Sequence, residues 1–240
     1  MEKINLSNIR IKAYSPEEEK IWNDNQEKLK LENQQQKAND LKRAKGFLKK
    51  EVIPTFDQFN PKHQDKSLGA YEEINDLLET VKRWCNSKNG WLTIIGGVGI
   101  GKTHLLKSAI DQVNGYYITA YDFDERIKDF RQGSEDKTRE FYVDPETWLN
   151  NLANIERHLA IDDIGAGYIQ KGWTLSKFEK LIDIRYRNQL PTAIATNLSV
   201  NDLSRELGSR IESRIKDKNF SVVKIIKKAS DLRSKRISLK

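Results

Sequence analysis

The chain has 240 residues, which allows one α/β domain and a modest appendage but leaves no room for two large domains. Hydrophobic residues make up 37% and charged residues 32%, so a core can form beneath an unusually charged surface. The formal charge is +7, and residues 208–240 hold 11 basic against 3 acidic side chains. This segment favours an anionic partner such as nucleic acid, although a solvated lysine-rich tail explains the charge equally well.

Composition also excludes several classes of protein. No run of about 18 apolar residues is present, and the N-terminus lacks the apolar stretch of a signal peptide. Cys85 is the single cysteine, so it cannot form an internal disulfide, and the three histidines offer no spacing typical of a structural zinc site. We therefore expect a cytoplasmic protein with no membrane partner, whose metal arrives with its substrate.

The first predicted element is a long helix. Ser15 as the capping residue, Pro16 at the first helical position and Glu18 three residues after the cap predict its start, and it continues to about Lys50. Residues 32–37 are polar, so the helix has no sustained apolar stripe and can bury little surface against its own chain. Such a helix needs a partner, and the alternative is a free, partly disordered arm.

A linker follows this arm. Pro54 and the polar stretch 57–62 are typical of a connection between two parts of a chain. We therefore divide the sequence into an N-terminal helical arm, residues 1–54, and a compact domain, residues 55–240.

From residue 68 onwards the pattern alternates between helix and strand, which predicts a parallel sheet between layers of helices. A long charged stretch, residues 124–156, must contain at least one helix and a surface loop. The predicted strands are the apolar runs 91–95, 116–120, 159–161 and 193–195.

A phosphate-binding loop follows the first predicted strand. Residues 96–103 read Gly-Gly-Val-Gly-Ile-Gly-Lys-Thr and match G-x-x-x-x-G-K-[ST], with a strand before the motif and a helical pattern after it. Small glycines let backbone N–H groups surround phosphate oxygens at the positive end of the following helix. Lys102 would reach the β- and γ-phosphates, and the Thr103 hydroxyl would bind Mg²⁺. The alternative is a glycine-rich turn with an incidental lysine.

Two later strand ends carry the polar groups that such a site needs. Asp162 and Asp163 end the third predicted strand, where Asp162 would hold Mg²⁺ through water and Asp163 would orient or deprotonate the attacking water. A strand-end turn with surface acids is the alternative. Asn197 ends the fourth predicted strand, and it could hydrogen-bond the attacking water or the γ-phosphate if that strand neighbours the first.

With these elements in order, residues 55–235 resemble the AAA+ ATPases, and specifically the DnaC/DnaI-type helicase loaders. The matching stretches are 56–59, 91–93 with 96–105, 162–165, 191–192 and 196–198. The resemblance implies a three-layer αβα sandwich with a five-stranded parallel sheet, no full helical lid, and ATP with Mg²⁺ as cofactors. The nucleotide contacts that it implies are Gly96, Gly97, Val98, Gly99, Ile100, Gly101, Lys102, Thr103, His104 and Arg233.

The same resemblance assigns roles to late residues. Asn197 corresponds to the family's sensor of the γ-phosphate, and Arg233, in Ser-Asp-Leu-Arg, to a terminal sensor within the same subunit. Arg214 corresponds best to the arginine finger that reaches a neighbouring subunit's nucleotide, with Arg210 as second choice. A finger implies ATP-dependent self-assembly through Arg214. The competing interpretations are a basic helix surface for the pair and a basic tail residue for Arg233.

Two departures from the family pattern affect activity. Asp163 stands where most AAA+ proteins have the longer Glu, and only 43 residues follow Asn197. We therefore expect slow ATP hydrolysis, and a full helical lid cannot fit.

A DNA-facing region is also implied by the resemblance. Residues 125–142 interleave basic and aromatic side chains, as expected for phosphate contacts combined with base stacking. In the same region Ile127 and Phe130 are better explained as core residues, and residues 175, 178, 181 and 182 are also assigned to the core. The candidate nucleic-acid contacts are Lys128, Arg131, Lys137, Arg139, Lys171 and Trp173.

Three functions compete. The first is an ATP-dependent loader that binds single-stranded DNA and a hexameric replicative helicase, with the arm as the helicase-binding element. The second is a transposition-associated ATPase of the IstB kind, which shares nearly all these motifs and binds double-stranded DNA. The third is a small-molecule or nucleotide kinase, which would need an arginine-rich lid, and the acidic strand end and Asn197 argue against it.

Overall fold

The computed structural model describes residues 53–64, 66, 69–131, 145–165, 167, 169 and 172–231. For residues 129–131 and 145 it describes the backbone alone. The helix predicted from Ser15 to about Lys50 lies outside the described residues, so the division at residue 54 stays a prediction. Among the helices that are described, none is long and apolar enough to cross a membrane.

Helices and strands alternate along the described domain. Two short 3₁₀ turns, Phe56–Gln58 and Pro61–His63, come first. The elements that follow are α1 (Ala70–Cys85), β1 (Trp91–Gly96), α2 (Lys102–Gln112), β2 (Tyr116–Thr119), α3 (Ala120–Arg131), α4 (Pro145–Asn154), β3 (Leu159–Ile164), α5 (Trp173–Arg187), β4 (Thr192–Thr196), α6 (Val200–Leu207), α7 (Ser209–Ile215) and β5 (Ser221–Ile226).

The five strands form one parallel sheet in the order β2-β3-β4-β1-β5. The predicted α/β sandwich and its four located strands are confirmed, with β2 one residue shorter than expected and β3 three residues longer. The fifth strand, β5, was implied by the resemblance but not located, because its apolar run Val-Val-Lys-Ile-Ile is short and lies among lysines. It forms an edge of the sheet and pairs with β1.

The core has two halves, one on each face of the sheet. In β1, Leu92 and Ile94 face α1 and α2, whereas Trp91 and Ile95 face the layer built from α3 to α7. This alternation follows from the two-residue period of a strand. The expected core positions are confirmed: Ile127, Phe178, Leu181 and Ile182 are buried and Leu175 packs against them. The side chain of Phe130 lies outside the described residues.

A fully buried arginine ties together the amino edge of the sheet. Arg185 of α5 uses all five of its N–H donors, and each acceptor is a neutral oxygen. Burial lowers the pKa of Arg185 to about 9. The acceptors are the Thr192 hydroxyl and the carbonyls of Leu152, Ile155, Arg157 and Pro191, at 2.8 to 3.1 Å. This side chain therefore joins α4, α5 and the starts of β3 and β4.

Candidate functional site

The glycine-rich loop connects the end of β1 to the start of α2. Gly99 and Gly101 have φ of 78° and 99°, a left-handed conformation that other residues rarely adopt. A Cβ at Gly101 would lie 2.4 Å from Cε2 of Phe59. The Gly101 carbonyl accepts the first hydrogen bond of the helix, from Leu105 N at 3.0 Å. The loop is thus closely packed and leads directly into the N-terminus of a helix, an arrangement that suits an anion.

Lys102 and Asn197 meet at the carboxyl edge of the sheet. Nζ of the buried Lys102 donates to the Gly96 and Gly97 carbonyls at 2.7 and 2.8 Å and to Oδ1 of Asn197 at 2.5 Å. The contact forms because β4 pairs with β1, which is the arrangement that the predicted role of Asn197 requires. The roles of Lys102 and Asn197 in nucleotide binding stay predictions.

The carboxylate of Asp162 is fully buried at the end of β3. The Tyr117 hydroxyl donates to its Oδ2 at 2.7 Å, and the backbone N–H of Asp163 donates to its Oδ1 at 2.9 Å. Asp162 follows Ala160 by two residues, and Ala160 packs in the core half beneath α2. The carboxylate therefore lies on the same face of the sheet as the helix that begins at Lys102. Burial, and then the nearby Asp162 charge, raise the pKa of Tyr117 well above its ordinary range, so the phenol stays a donor.

The side chain of Asp163 differs from that of Asp162 in its surroundings, because β3 contains a bulge at this point. Ile161 pairs with Ile194 but Ile164 pairs with Thr196, so β3 has one residue more than β4 over this stretch. Asp163 has a φ of 55° and an exposed side chain, a conformation that Asp tolerates better than most residues. The bulge thus buries one carboxylate and exposes the next at the same sheet edge.

The ends of β3 and β4 are held together just beyond these side chains. The Thr196 hydroxyl donates to the Ile164 carbonyl at 2.6 Å and accepts from Leu198 N at 3.0 Å. Gly165 has a φ of 97°, and a Cβ there would lie 2.2 Å from Cγ of Leu198. These contacts fix the backbone on both sides of Asn197.

The residues present fit a nucleotide with a magnesium ion. Thr103 is the second residue of α2 and is exposed, and Asp162 lies on the same sheet face. A hydroxyl and a carboxylate are the oxygen ligands that Mg²⁺ prefers, usually together with water. Within the described part of the chain, the two hydrogen-bond donors to Asp162 are neutral groups, so a bound cation would compensate its buried charge.

His104 is partly covered by the linker. Nε2 of His104 lies 2.9 Å from the Thr55 carbonyl, and its ring centroid lies 5.3 Å from that of Phe59. One turn later, the Ser108 hydroxyl donates to the Pro54 carbonyl at 2.9 Å. Residues 56–59 match the family pattern, but the sequence did not predict that they pack on the glycine loop. A local sequence pattern carries no information about contacts between segments so far apart along the chain.

The chain returns to the glycine loop after β5. The Glu73 carboxylate accepts the backbone N–H groups of Lys227, Lys228 and Ala229 at 2.8 to 3.3 Å. Asp231 then lies against Gly99, where a Cβ would approach its Oδ1 to 1.7 Å. Arg233 lies outside the described residues, only two positions further on, so its predicted contact with the nucleotide is not described.

Arg214 is held within its own subunit. It forms an ion pair with Asp183 of α5, and its guanidinium lies 5.4 Å from the Tyr186 ring centroid. Arg210 contacts the other oxygen of Asp183 at 3.1 Å, but its side chain is 66% exposed against 13% for Arg214. Both arginines thus share one carboxylate, and Arg214 must leave that site before it can reach another subunit.

The predicted DNA contacts are not brought together into one basic patch by the described residues. Lys128 is paired with Asp124 at 2.5 Å and with Glu125 at 3.7 Å. The pKa of Lys128 is raised, mainly by the hydrogen bond with Asp124. Trp173 is 41% exposed, with Lys177 Nζ 5.3 Å from its ring centroid. The remaining predicted contacts, Lys137, Arg139, Lys171 and the side chain of Arg131, lie outside the described residues.

Two aromatic residues were missed by the sequence analysis. Tyr117 contacts Asp162, but in the run Tyr-Tyr-Ile-Thr nothing distinguishes its hydroxyl from those of Tyr116 and Thr119. Tyr121, in the first turn of α3, is 48% exposed, which is unusual for a ring of this size so near a core element. Neither residue belongs to a recognisable motif.

Comparison with known proteins supports the family resemblance. No protein-family model matches the chain. The replicative helicase loader DnaC of Escherichia coli (strain K12) is 26% identical over 170 residues, which cover 65% of this chain. The match also spans 65% of the length of that relative.

Solved structures agree on the fold. The crystal structure of the DnaC helicase loader has a TM-score of 0.51 and 25% identity, and the match covers 64% of this chain and 89% of that one. The AMPPCP-bound DnaA from Aquifex aeolicus has a TM-score of 0.53 and 21% identity, and covers 78% of this chain and 54% of that one. The described domain therefore has the AAA+ fold. These similarities, added to the strand order and the glycine-loop motif, support placing the chain among the DnaC/DnaI-type AAA+ proteins.

Proposed function

We propose that this protein is an ATP-dependent helicase loader that binds ATP with Mg²⁺, single-stranded DNA and a hexameric replicative helicase during DNA replication. The observation that carries the proposal is the contact between Lys102 of the glycine loop and Asn197 at the end of β4. It joins the phosphate-binding motif to a polar strand end, as a nucleotide-sensing site requires. The similarity to DnaC supports the part of the proposal that concerns the helicase.

The nucleotide would be held by this chain's backbone and by Lys102. The N–H groups of residues 96–103 would surround the phosphates, and Lys102 would donate to phosphate oxygens in place of two carbonyls and Asn197. Thr103 and Asp162 would hold the magnesium ion, which neutralises charge on the phosphates when bound. The closely packed linker at Phe59 and the segment 227–231 at Gly99 border the same loop and limit water access.

Hydrolysis would be slow. Asp163 and Asn197 would orient the attacking water, but Asp163 has a shorter side chain than the Glu expected at this position and its backbone is set by the bulge. Arg214 would supply a cation to the nucleotide of a neighbouring subunit, and Arg233 one to the nucleotide of its own. Assembly thus controls turnover, as expected of a protein whose nucleotide state regulates binding to its partners.

A co-purification with the cognate replicative helicase tests the main proposal. The full chain should retain the hexamer with ATP and Mg²⁺ present, and a chain lacking residues 1–54 should not retain it if the arm is the helicase-binding element. Failure of the full chain to retain the helicase under any nucleotide condition would contradict the loader function.

DNA competition separates the loader from the transposition ATPase. We expect the ATP-bound protein to prefer single-stranded over double-stranded DNA of equal length, with affinity falling as salt rises. A preference for double-stranded DNA, together with capture of a transposase, would favour the IstB-type function.

A further inference from the structure

The buried carboxylate of Asp162 is held from two directions. Its Oδ1 accepts from the backbone N–H of the next residue, a bond that any amino acid except proline could donate from position 163. Its Oδ2 accepts from the Tyr117 hydroxyl, a bond that depends on one side chain of another strand. Deleting this hydroxyl would leave the backbone bond in place, so the two restraints can be separated by experiment.

The position of Tyr117 is determined by the register of β2 on β3. Tyr117 pairs with Ala160, and Thr119 pairs with Asp162, so the tyrosine reaches diagonally along the sheet to the acidic strand end. Lys107 of α2 lies over its ring, with Nζ 5.2 Å from the centroid. The ring is thus confined between the sheet and the helix that starts at the glycine loop, and its hydroxyl has a defined direction.

A carboxylate has about four lone-pair positions. Tyr117 and the backbone N–H of Asp163 occupy one position on each oxygen of Asp162, and as far as the described residues go, the other positions remain for further ligands. Side chains that hydrogen-bond a metal-binding carboxylate orient it, and their loss typically weakens metal binding by about 10- to 100-fold.

We propose that Tyr117 is a positioning residue, whose hydroxyl holds the Asp162 carboxylate in the orientation that receives the magnesium ion of bound nucleotide. The inference rests on the proposed function, since it concerns the same site. It assigns to β2, a strand that carries none of the recognised motifs, an indirect part in metal binding, through Asp162.

The test compares Tyr117→Phe with Tyr116→Phe in the full chain. The two changes remove the same atom from neighbouring residues of β2, but Tyr116 packs in the core half on the opposite face of the sheet. The affinity for a fluorescent ATP analogue is measured in EDTA and across a Mg²⁺ titration, together with the unfolding temperature. Asp162→Asn serves as the positive control for a damaged metal site.

We expect Tyr117→Phe to raise the Mg²⁺ concentration for half-maximal enhancement of nucleotide binding by about 10-fold, and to change the affinity in EDTA by less than about twofold. Tyr116→Phe should follow the unmodified protein in both conditions. Mn²⁺ offers a readout independent of nucleotide fluorescence: electron paramagnetic resonance should show less Mn²⁺ bound to the Tyr117→Phe protein saturated with a non-hydrolysable ATP analogue.

Two outcomes would overturn the inference alone. An unchanged Mg²⁺ dependence in Tyr117→Phe would show that the hydroxyl does not act on the metal. A loss of nucleotide affinity in EDTA as large as the loss in Mg²⁺ would show that the hydroxyl supports the folded site without acting on the metal. Failure of the proposed function looks different, because the unmodified protein itself would then show no Mg²⁺-dependent nucleotide binding and Asp162→Asn would have no effect. That result would overturn both proposals.

Discussion

The charged side chains at the carboxyl edge of the sheet have different partners from those on the surface formed by α3, α4 and α5. At the sheet edge, Lys102 donates to two carbonyls and an amide oxygen, and Asp162 accepts from a phenol and a backbone N–H. On the helical surface, Lys128 is paired with Asp124, and Lys177 with Glu146. Hydrogen bonds to uncharged groups thus help to hold the charged side chains of the first region, whereas ion pairs within a helix or between helices hold those of the second, so a basic residue in the sequence does not by itself indicate binding.

The largest effect should come from the scaffold that both regions share. Arg185→Leu removes five donors, so four buried or partly buried carbonyls and a hydroxyl lose the guanidinium, and of these the Pro191 carbonyl keeps the N–H of Leu159. We expect a loss of about 3 kcal/mol or more in the free energy of unfolding, measured by urea denaturation. Arg187→Leu, on the exposed side of the same helix, should cost less than about 0.5 kcal/mol. Equal effects of the two changes would show that the buried contacts contribute nothing.

The next effect concerns the sheet edge alone. Lys102→Ala should weaken ATP binding by about 30-fold or more, since a charge-assisted hydrogen bond contributes about 2 kcal/mol. Calorimetric titration with ATP and Mg²⁺ measures it. Lys88→Ala is the matched control, because Lys88 is exposed in the loop before β1, at the opposite edge of the sheet. ATP affinity that survives in Lys102→Ala would remove the sheet edge as the nucleotide site.

Arg214→Ala should separate binding from turnover. We expect ATP affinity within about twofold of the unmodified protein, and turnover at least about 10-fold lower in the assembled state only. Arg210→Ala should have a smaller effect if Arg214 is the finger. A greater loss from Arg210→Ala would assign the finger to the more exposed arginine, and full turnover of dilute, monomeric Arg214→Ala protein would contradict a role between subunits.

The smallest effects should appear on the helical surface. Trp173→Ala should weaken single-stranded DNA binding by about 1 kcal/mol if one base stacks on the ring, with little change in salt dependence. Lys128→Ala should leave both affinity and salt dependence nearly unchanged, because Asp124 and Glu125 already compensate its charge. Fluorescence anisotropy at two salt concentrations measures both variants. A clear loss of salt dependence in Lys128→Ala would show that DNA displaces the acidic partners.

Much of the nucleotide site could be predicted because its residues follow strands that are buried on both faces. The apolar runs before Gly96, Asp162 and Asn197 locate the strand ends, and parallel strands bring their carboxyl ends to one edge. The edge strand β5 could not be located in this way. Part of β5 is exposed, so its sequence does not show the continuous apolar run that predicts the buried strands β1, β3 and β4.

The sequence by itself located the residues that are predicted to carry the phosphate-binding chemistry, because backbone freedom, helix starts and strand periodicity are local properties. Only the tertiary structure decided which partners hold the charged side chains, since Arg214 with Asp183 and Tyr117 with Asp162 join segments 31 and 45 residues apart. Such pairs depend on strand register and helix packing, and these result from the burial of the whole core. No short stretch of sequence contains that information.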